Sequence, residues 1–377
     1  MASVRDIFDP AHYENVRRPL LEAETLPPWC YTSQAFYERE VERMFKKTWN
    51  FIGRVDEVAE PGDYMTFELF GEPLIILRDK AGKVRAFANT CRHRGACLLE
   101  GRGNCRVISC PYHGWAYALS GELVATPGME RTLDFDSDRY GLLPVRLETW
   151  DGFIFVSFDA DCTSLSEHLG ELPERLRSYN FADMVCVRRK EYDLACNWKI
   201  YLENAMEDYH TPTVHKKSIG KQVTMPQEGP GEWDAIHMPA EKSIALLPED
   251  AAFALPEIAG LEGQAAAGTY FLAIYPATFF ALTQDCMWWL QLFPLGPDRS
   301  KLVAGPCFPR DTVARGDFAE KVQAYYRRWD KSLGEDNRIS ETQQAGLKSS
   351  FSRPGRFSFH EPVVQAIANW VLDHVLD

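Results

Sequence analysis

The sequence predicts an α+β fold in two domains, a small antiparallel β domain inserted near the N-terminus and a larger domain of sheet and helices. Three observations predict it. At 377 residues the chain exceeds the size at which a single hydrophobic core stops growing. Short β-type runs divided by turn residues crowd residues 41–158. From about residue 185 onward, strand-like runs stand beside helical segments without regular alternation, the pattern of α+β rather than of parallel βαβ units.

In order along the chain, residues 1–40 read as an arm, with Pro27-Pro28 marking a turn and residues 34–45 an amphipathic helix. Strands follow at 74–77, 84–87 and 107–109, separated by turn signals such as Lys80-Ala81-Gly82. The run 152–158 marks the exit from this first domain, so that 41–158 form the β domain and 159–377 the second. Helical signals at 165–179 open the second domain, strands are expected at 185–189 and 288–293, and a helix at 362–376. Residues 218–268, rich in Gly, Pro and Ala, read as a mobile cover over a site. From Gly263 to Gln284 no residue is charged, a length that could span a bilayer. Pro276 and the β-forming content of 271–282 predict buried strands instead.

Two short pairs carry the chemistry of the first domain: Cys91-Arg92-His93 and Cys110-Pro111-Tyr112-His113. Each supplies one thiolate and one imidazole, and each runs into a glycine turn (Arg94-Gly95, Gly114-Trp115). They read as a Rieske [2Fe-2S] site, in which two cysteines hold one iron and two histidines the other. A tetrahedral zinc site is the alternative. Zinc pairs usually group like ligands with like, whereas these pairs are mixed.

A second constellation separates an enzyme from an electron carrier. Asn204, Glu207 and His210 recur every three positions, which predicts one helical face, and Pro212 is expected to break that helix so that His210 and His215 converge. Two histidines and a carboxylate with open positions form the facial triad that holds Fe(II) for oxygen activation. A third ligand must come from elsewhere; Asp330, Glu335, Asp336 and Glu341 lie in one later segment. A stand-alone carrier would need neither this constellation nor any residue beyond about 160. Asp208, only two positions from His210, is expected to point away toward solvent or a supporting role.

Composition agrees with a soluble cytoplasmic enzyme. The net charge of -13 argues against a nucleic-acid or anionic-membrane surface. The first residues contain no apolar signal core. The cysteines outside the two pairs (Cys30, Cys97, Cys105, Cys162, Cys186, Cys196, Cys286 and Cys307) are expected as buried small hydrophobes rather than disulfides. No dinucleotide fingerprint is present, since Gly101-Arg102-Gly103 is too short and precedes no helix. Electrons therefore come from a separate reductase or ferredoxin, with NAD(P)H used only indirectly.

The two finger motifs and the stretch Asn204…Glu207…His210…His215 resemble the terminal oxygenase (α) subunits of Rieske non-haem iron oxygenases, over nearly the whole chain. Respiratory Rieske proteins resemble it less, because Tyr112 replaces a cysteine that would pair with Cys97. The resemblance implies a helix-grip-like catalytic domain with an antiparallel sheet, a cluster held by Cys91, His93, Cys110 and His113, and iron held by His210, His215 and Asp336. It further implies Glu207 as the bridge from iron to His113 of a neighbouring subunit, with Asn204 in the same signature and Asp330, Glu335 and Glu341 as surface charges. A homotrimer follows from that electron path. Glu at the bridge, where most members carry Asp, is similar to the carnitine, choline and betaine monooxygenases. With the aromatic residues at 270–293 it points to O2-dependent oxidation of an N-methylated or quaternary ammonium compound. An aromatic acid or amine is the second reading.

Overall fold

The uncharged run of residues 263–284 folds as the centre of a sheet. Its β-branched and aromatic residues form the strands Gly268–Ile274 and Thr278–Leu282, buried along their whole length. A four-residue helix, Gly263–Ala266, precedes them. A computed structural model describes residues 6–376, and no helix among them is long and apolar enough to cross a membrane.

The chain divides into two compact units, residues 51–165 and residues 1–50 with 166–377. In the second of these, antiparallel strands lie in the order Met184–Cys186, Arg299–Pro309, Met287–Gly296, Thr278–Leu282, Gly268–Ile274, Trp233–Pro239 and Met225–Gln227, with Lys190–Leu194 also paired to Arg299–Pro309. The helix Phe318–Leu347 lies on this sheet. Its Val322, Tyr325, Trp329 and Leu333 recur at three- and four-residue steps and are buried, and Trp329 meets Trp288 at 5.5 Å and Phe308 at 6.1 Å. The helix Pro362–Leu376 buries Val364, Ile367, Val371 and Val375, and its Trp370 stacks on Tyr275 at 4.6 Å.

The unit boundary falls at 50/51 because the arm's helix, Gln34–Arg43, is tied to the sheet-and-helix unit rather than to the β unit. Glu40 and Lys199, both fully buried, pair at 2.5 Å, and Phe45 meets Trp198 edge-on at 5.1 Å.

Composition hid two strands. The segment expected as a mobile cover, 218–268, contains Trp233–Pro239, which pairs residue for residue with Gly268–Ile274, and the short edge strand Met225–Gln227, which pairs with Trp233–Pro239. The rest of the segment lies outside the sheet, as short turns of helix and loop. Among the eight remaining cysteines none forms a disulfide, but only Cys30, Cys196, Cys286 and Cys307 are buried as expected; Cys105, Cys162 and Cys186 are half-buried and Cys97 is exposed.

In residues 51–165, a sheet runs in the order Asn50–Arg54, Phe153–Ser157, Pro144–Trp150, Val84–Ala88, Glu72–Arg78, Asp63–Leu69 and Arg102–Asn104. A smaller sheet, Ile108–Ser109, Ala116–Tyr117 and Leu123–Ala125, carries the second Cys/His pair in the turn between its first two strands. Ile75, Leu77, Phe87, Ile108, Trp115 and Tyr117 form the core on which both pairs are seated.

Candidate metal centres

Each Cys/His pair sits in a turn closed on itself. Gly95 N donates to Cys91 O at 2.9 Å and Cys91 N to Ala96 O at 2.8 Å; in the second turn Gly114 N donates to Cys110 O at 3.1 Å and Cys110 N to Trp115 O at 2.8 Å. Gly95 and Gly114 hold φ of 75° and 71°, a left-handed conformation that a side chain would strain. The His93 ring stacks on Trp115 at 4.9 Å and lies 4.7 Å from the His113 ring. Burial opposes a thiolate at Cys91, but the Tyr117 hydroxyl and the backbone amides of His93 and Arg94 outweigh it and hold the thiol below its ordinary pKa. Beside it, His93 Nδ1 is buried with no hydrogen-bond partner among the described residues. A stabilised thiolate next to an orphaned imidazole nitrogen fits a cluster with mixed sulfur and nitrogen ligands.

The second centre is assembled from a bend. The helix Trp198–Ala205 is capped by Asn197, whose side chain accepts from Lys199 N, and it ends with Met206. Asn204 therefore lies in its last turn, while Glu207 and His210 lie beyond it rather than on one continuous helical face. Pro212 does not break that helix; it opens the next, Thr211–Val214, where the missing N–H costs nothing because first-turn amides have no helical partner. His215 ends this short helix.

His210, His215 and Asp336 place their ligating atoms within 4.8 Å of one another. Asp336 Oδ1 lies 3.1 Å from His215 Nε2 and 3.7 Å from His210 Nε2. On the far side of each ring a carboxylate is engaged: Glu207 Oε1 at 2.7 Å from His210 Nδ1, and Glu335 Oε2 at 2.8 Å from His215 Nδ1. Each Nδ1 facing a carboxylate is assigned the proton. That leaves both Nε2 lone pairs directed at a carboxylate oxygen, an arrangement of three electron-pair donors that calls for a cation between them. Burial works against a charge on His215, yet the adjoining Asp336 and Glu335 raise its pKa, which expresses the same demand for positive charge. The donor set fits a two-histidine, one-carboxylate iron site.

Glu335 is a correction to the sequence reading, which placed it among surface charges. It holds His215 and also accepts from Ser218 Oγ at 2.5 Å. Asp330 instead pairs with Arg188 at 2.9 Å and Lys190 at 3.0 Å, and Glu341 accepts from Ala195 N at 3.0 Å, so both tie the long helix to neighbouring chain. Asp208 is not turned to solvent. It is buried, accepts from Thr224 N at 2.7 Å and pairs with His360 at 2.8 Å, fastening the bend to the stretch that precedes the last helix.

A cavity of about 70 Å³ opens beside the three ligands, lined by Tyr201, Asn204, Phe271, Phe279, Trp288 and Arg328 among others. It adjoins a larger one of about 560 Å³ that shares Ile219 and Gln222 with it. Strand alternation sorts the aromatic residues: Phe279 and Trp288 face the cavity, while their neighbours Phe280 and Trp289, cross-strand partners of each other, do not. Sequence could not distinguish these faces.

Residues 48–147 match the family described as Rieske [2Fe-2S] domain, and residues 181–377 the family described as ring hydroxylating alpha subunit (catalytic domain). The chain is 29% identical over 352 residues to a chloroplastic choline monooxygenase of Atriplex hortensis, covering 90% of this chain and 76% of that protein. It is 38% identical over 197 residues to the carnitine monooxygenase oxygenase subunit of Escherichia coli K12, a match spanning 52% of this chain and 53% of that protein. The crystal structure of the quaternary ammonium Rieske monooxygenase CntA with its substrate gamma-butyrobetaine superposes with a TM-score of 0.80 at 25% identity, covering 96% of this chain and 98% of that one.

Proposed function

This chain belongs to the ring-hydroxylating α-subunit family and is a Rieske non-haem iron oxygenase, and we propose from that premise that it oxidises an N-methylated or quaternary ammonium compound. The observation that carries the reading is the cavity itself: the converging nitrogens and carboxylate of His210, His215 and Asp336 border a cavity that the aromatic side chains of Phe271 and Phe279 also line. Aromatic faces attract quaternary ammonium groups that have shed their water. The relatives named for choline and carnitine support the same substrate class.

Cys91, His93, Cys110 and His113 would hold the [2Fe-2S] cluster, and His210, His215 and Asp336 the mononuclear iron. Bound there, the cluster supplies electrons singly and the Fe(II) supplies O2 activation. The protein's own groups do the rest. Glu207 and Glu335 fix the Nδ1–H tautomers of the two histidines, so that each presents Nε2 as a ligand. Glu207 is also the proposed bridge to His113 of a neighbouring subunit in a homotrimer, with a separate reductase as electron source. The buried ring faces orient the substrate and keep water from the reacting bond.

Oxygen uptake with a surrogate reductase, across matched panels of quaternary ammonium compounds and aromatic acids, tests the reading. Coupled release of an aldehyde or amine from the ammonium panel is expected. Turnover of the aromatic panel alone would overturn the substrate class.

A further inference from the structure

We infer that Arg328 receives a carboxylate of the substrate, so that the compound oxidised is an N-methylated amino acid rather than an amino alcohol. This rests on the substrate reading above and narrows it. Arg328, Ser332 and Asp336 are spaced four residues apart on the helix Phe318–Leu347, and all three line the cavity beside the metal ligands. Helical rise sets the Cα positions of Arg328 and Asp336 about 12 Å apart along the wall that the helix gives the cavity.

Arg328 is 4% exposed. Its Nε donates to Ile244 O at 3.1 Å, its Nη1 to Ser332 Oγ at 2.8 Å, and its Cζ lies 5.0 Å above the Trp288 ring. All of these partners are neutral. No carboxylate lies within 4 Å of the guanidinium among the described residues, and Nη2 donates to no protein group there. Burial lowers the Arg328 pKa to about 10, and the group is still charged near neutrality.

The other buried Lys and Arg side chains among the described residues are paired: Lys199 with Glu40 at 2.5 Å, and Arg54 with Asp56 at 2.8 Å. An interior charge without a counter-ion is costly. Arg328 carries that cost at the wall of the substrate cavity, which is where an incoming anion would relieve it. The nearest acids, Asp336 and Glu335, are directed to the histidines. A cation with a neutral tail, such as choline, would share the cavity with the guanidinium and leave it unpaired. A zwitterion satisfies both ends, with carboxylate on Arg328 and ammonium against Phe271 and Phe279.

The test compares ligands that differ only in the acid group: glycine betaine against choline, carnitine against its methyl ester, and benzoate against benzamide. Binding to the purified, iron-loaded protein is measured calorimetrically, and turnover by product release. The acid member of a pair should bind roughly ten- to a hundredfold more tightly, the worth of a charge-assisted hydrogen bond. Arg328→Gln should erase that preference, weakening the acid member of each pair relative to the neutral one, and Arg328→Lys should retain part of it. Equal binding of acid and neutral member by the native protein would overturn the inference without touching the oxygenase assignment, and needs no variant to fold. Selective binding of benzoate alone, still dependent on Arg328, would uphold the carboxylate site and defeat the ammonium reading.

Discussion

Replacing Glu335 isolates what a supporting carboxylate does for the mononuclear site. Its Oε2 is 2.8 Å from His215 Nδ1, while the ring's Nε2 faces Asp336 Oδ1 at 3.1 Å. Glu335→Gln keeps an acceptor of the same shape but exchanges a charge-assisted hydrogen bond for a neutral one. The difference between the two is about 1 to 1.5 kcal/mol, or roughly tenfold in metal affinity. Glu335→Ala removes the acceptor altogether, frees the ring to rotate and leaves the Ser218 hydroxyl, which donates to the same oxygen, with only the backbone oxygen of His215 at 3.2 Å. Its loss should approach the upper end of the range for such partners, roughly a hundredfold. Ferrous affinity is read by anaerobic competition with a chelator, and the visible absorption of the cluster serves as an internal control because its ligands lie in the other unit. The expected order is native, then Gln, then Ala, at constant cluster absorbance. Unchanged iron affinity in the alanine variant, or simultaneous loss of both centres, would refute the reasoning.

Metal analysis of the native protein should give about three irons per chain, two of them in the histidine-ligated cluster; stoichiometric zinc at Cys91, His93, Cys110 and His113 would contradict it. Glu207→Gln should keep both centres occupied yet nearly abolish turnover, and normal product formation would remove Glu207 from the electron path. Glu203 is buried and accepts the Tyr31 hydroxyl at 2.9 Å, and burial raises its pKa to about 8. Because the folded state binds the extra proton, stability from this group is full below the unfolded carboxylate pKa and declines as pH rises toward 8. Melting temperature should therefore fall across that window in the native protein and more shallowly in Glu203→Gln, the difference amounting to a few kcal/mol. Subunits carrying Cys110→Ser, mixed with subunits carrying His210→Ala, should regain partial activity if electrons cross between chains of a trimer; verified mixed assemblies without activity would exclude that route.

How much of this could be seen in the sequence depended on how local each signal was. The Cys/His pairs lie within three or four residues of chain, and their turns need only the glycines at 95 and 114, so sequence located them directly. The buried strands at 268–282 followed from β-forming content without charge. The strand at 233–239 was missed because its burial comes from pairing with 268–274, a partner 29 to 41 residues away, and its flanks look like loop. Periodicity failed in another way at 204–210. A three-residue repeat continues in sequence whether or not the helix does, and here the backbone leaves the helix at Met206, so that Glu207 reaches His210 across a turn.

Glu335 and Arg328 mark the limit of reading one helix alone. On the helix Phe318–Leu347, charged side chains at 327, 328, 330, 331, 335, 336 and 338 give no hint by type of which are turned inward. What separates them is the position of the partner element. The bend holding His215 and Ser218 captures Glu335, Asp250 takes Arg327, and Arg328 is carried inward with only Nε and Nη1 engaged, both on neutral groups. A stripe of Arg328, Ser332 and Asp336 at four-residue spacing would read in isolation as a salt-bridged solvent face. Packed against Trp288 it becomes a wall with an anion at the metal end and an unmatched cation at the other, and that polarity is what a zwitterionic substrate would complement.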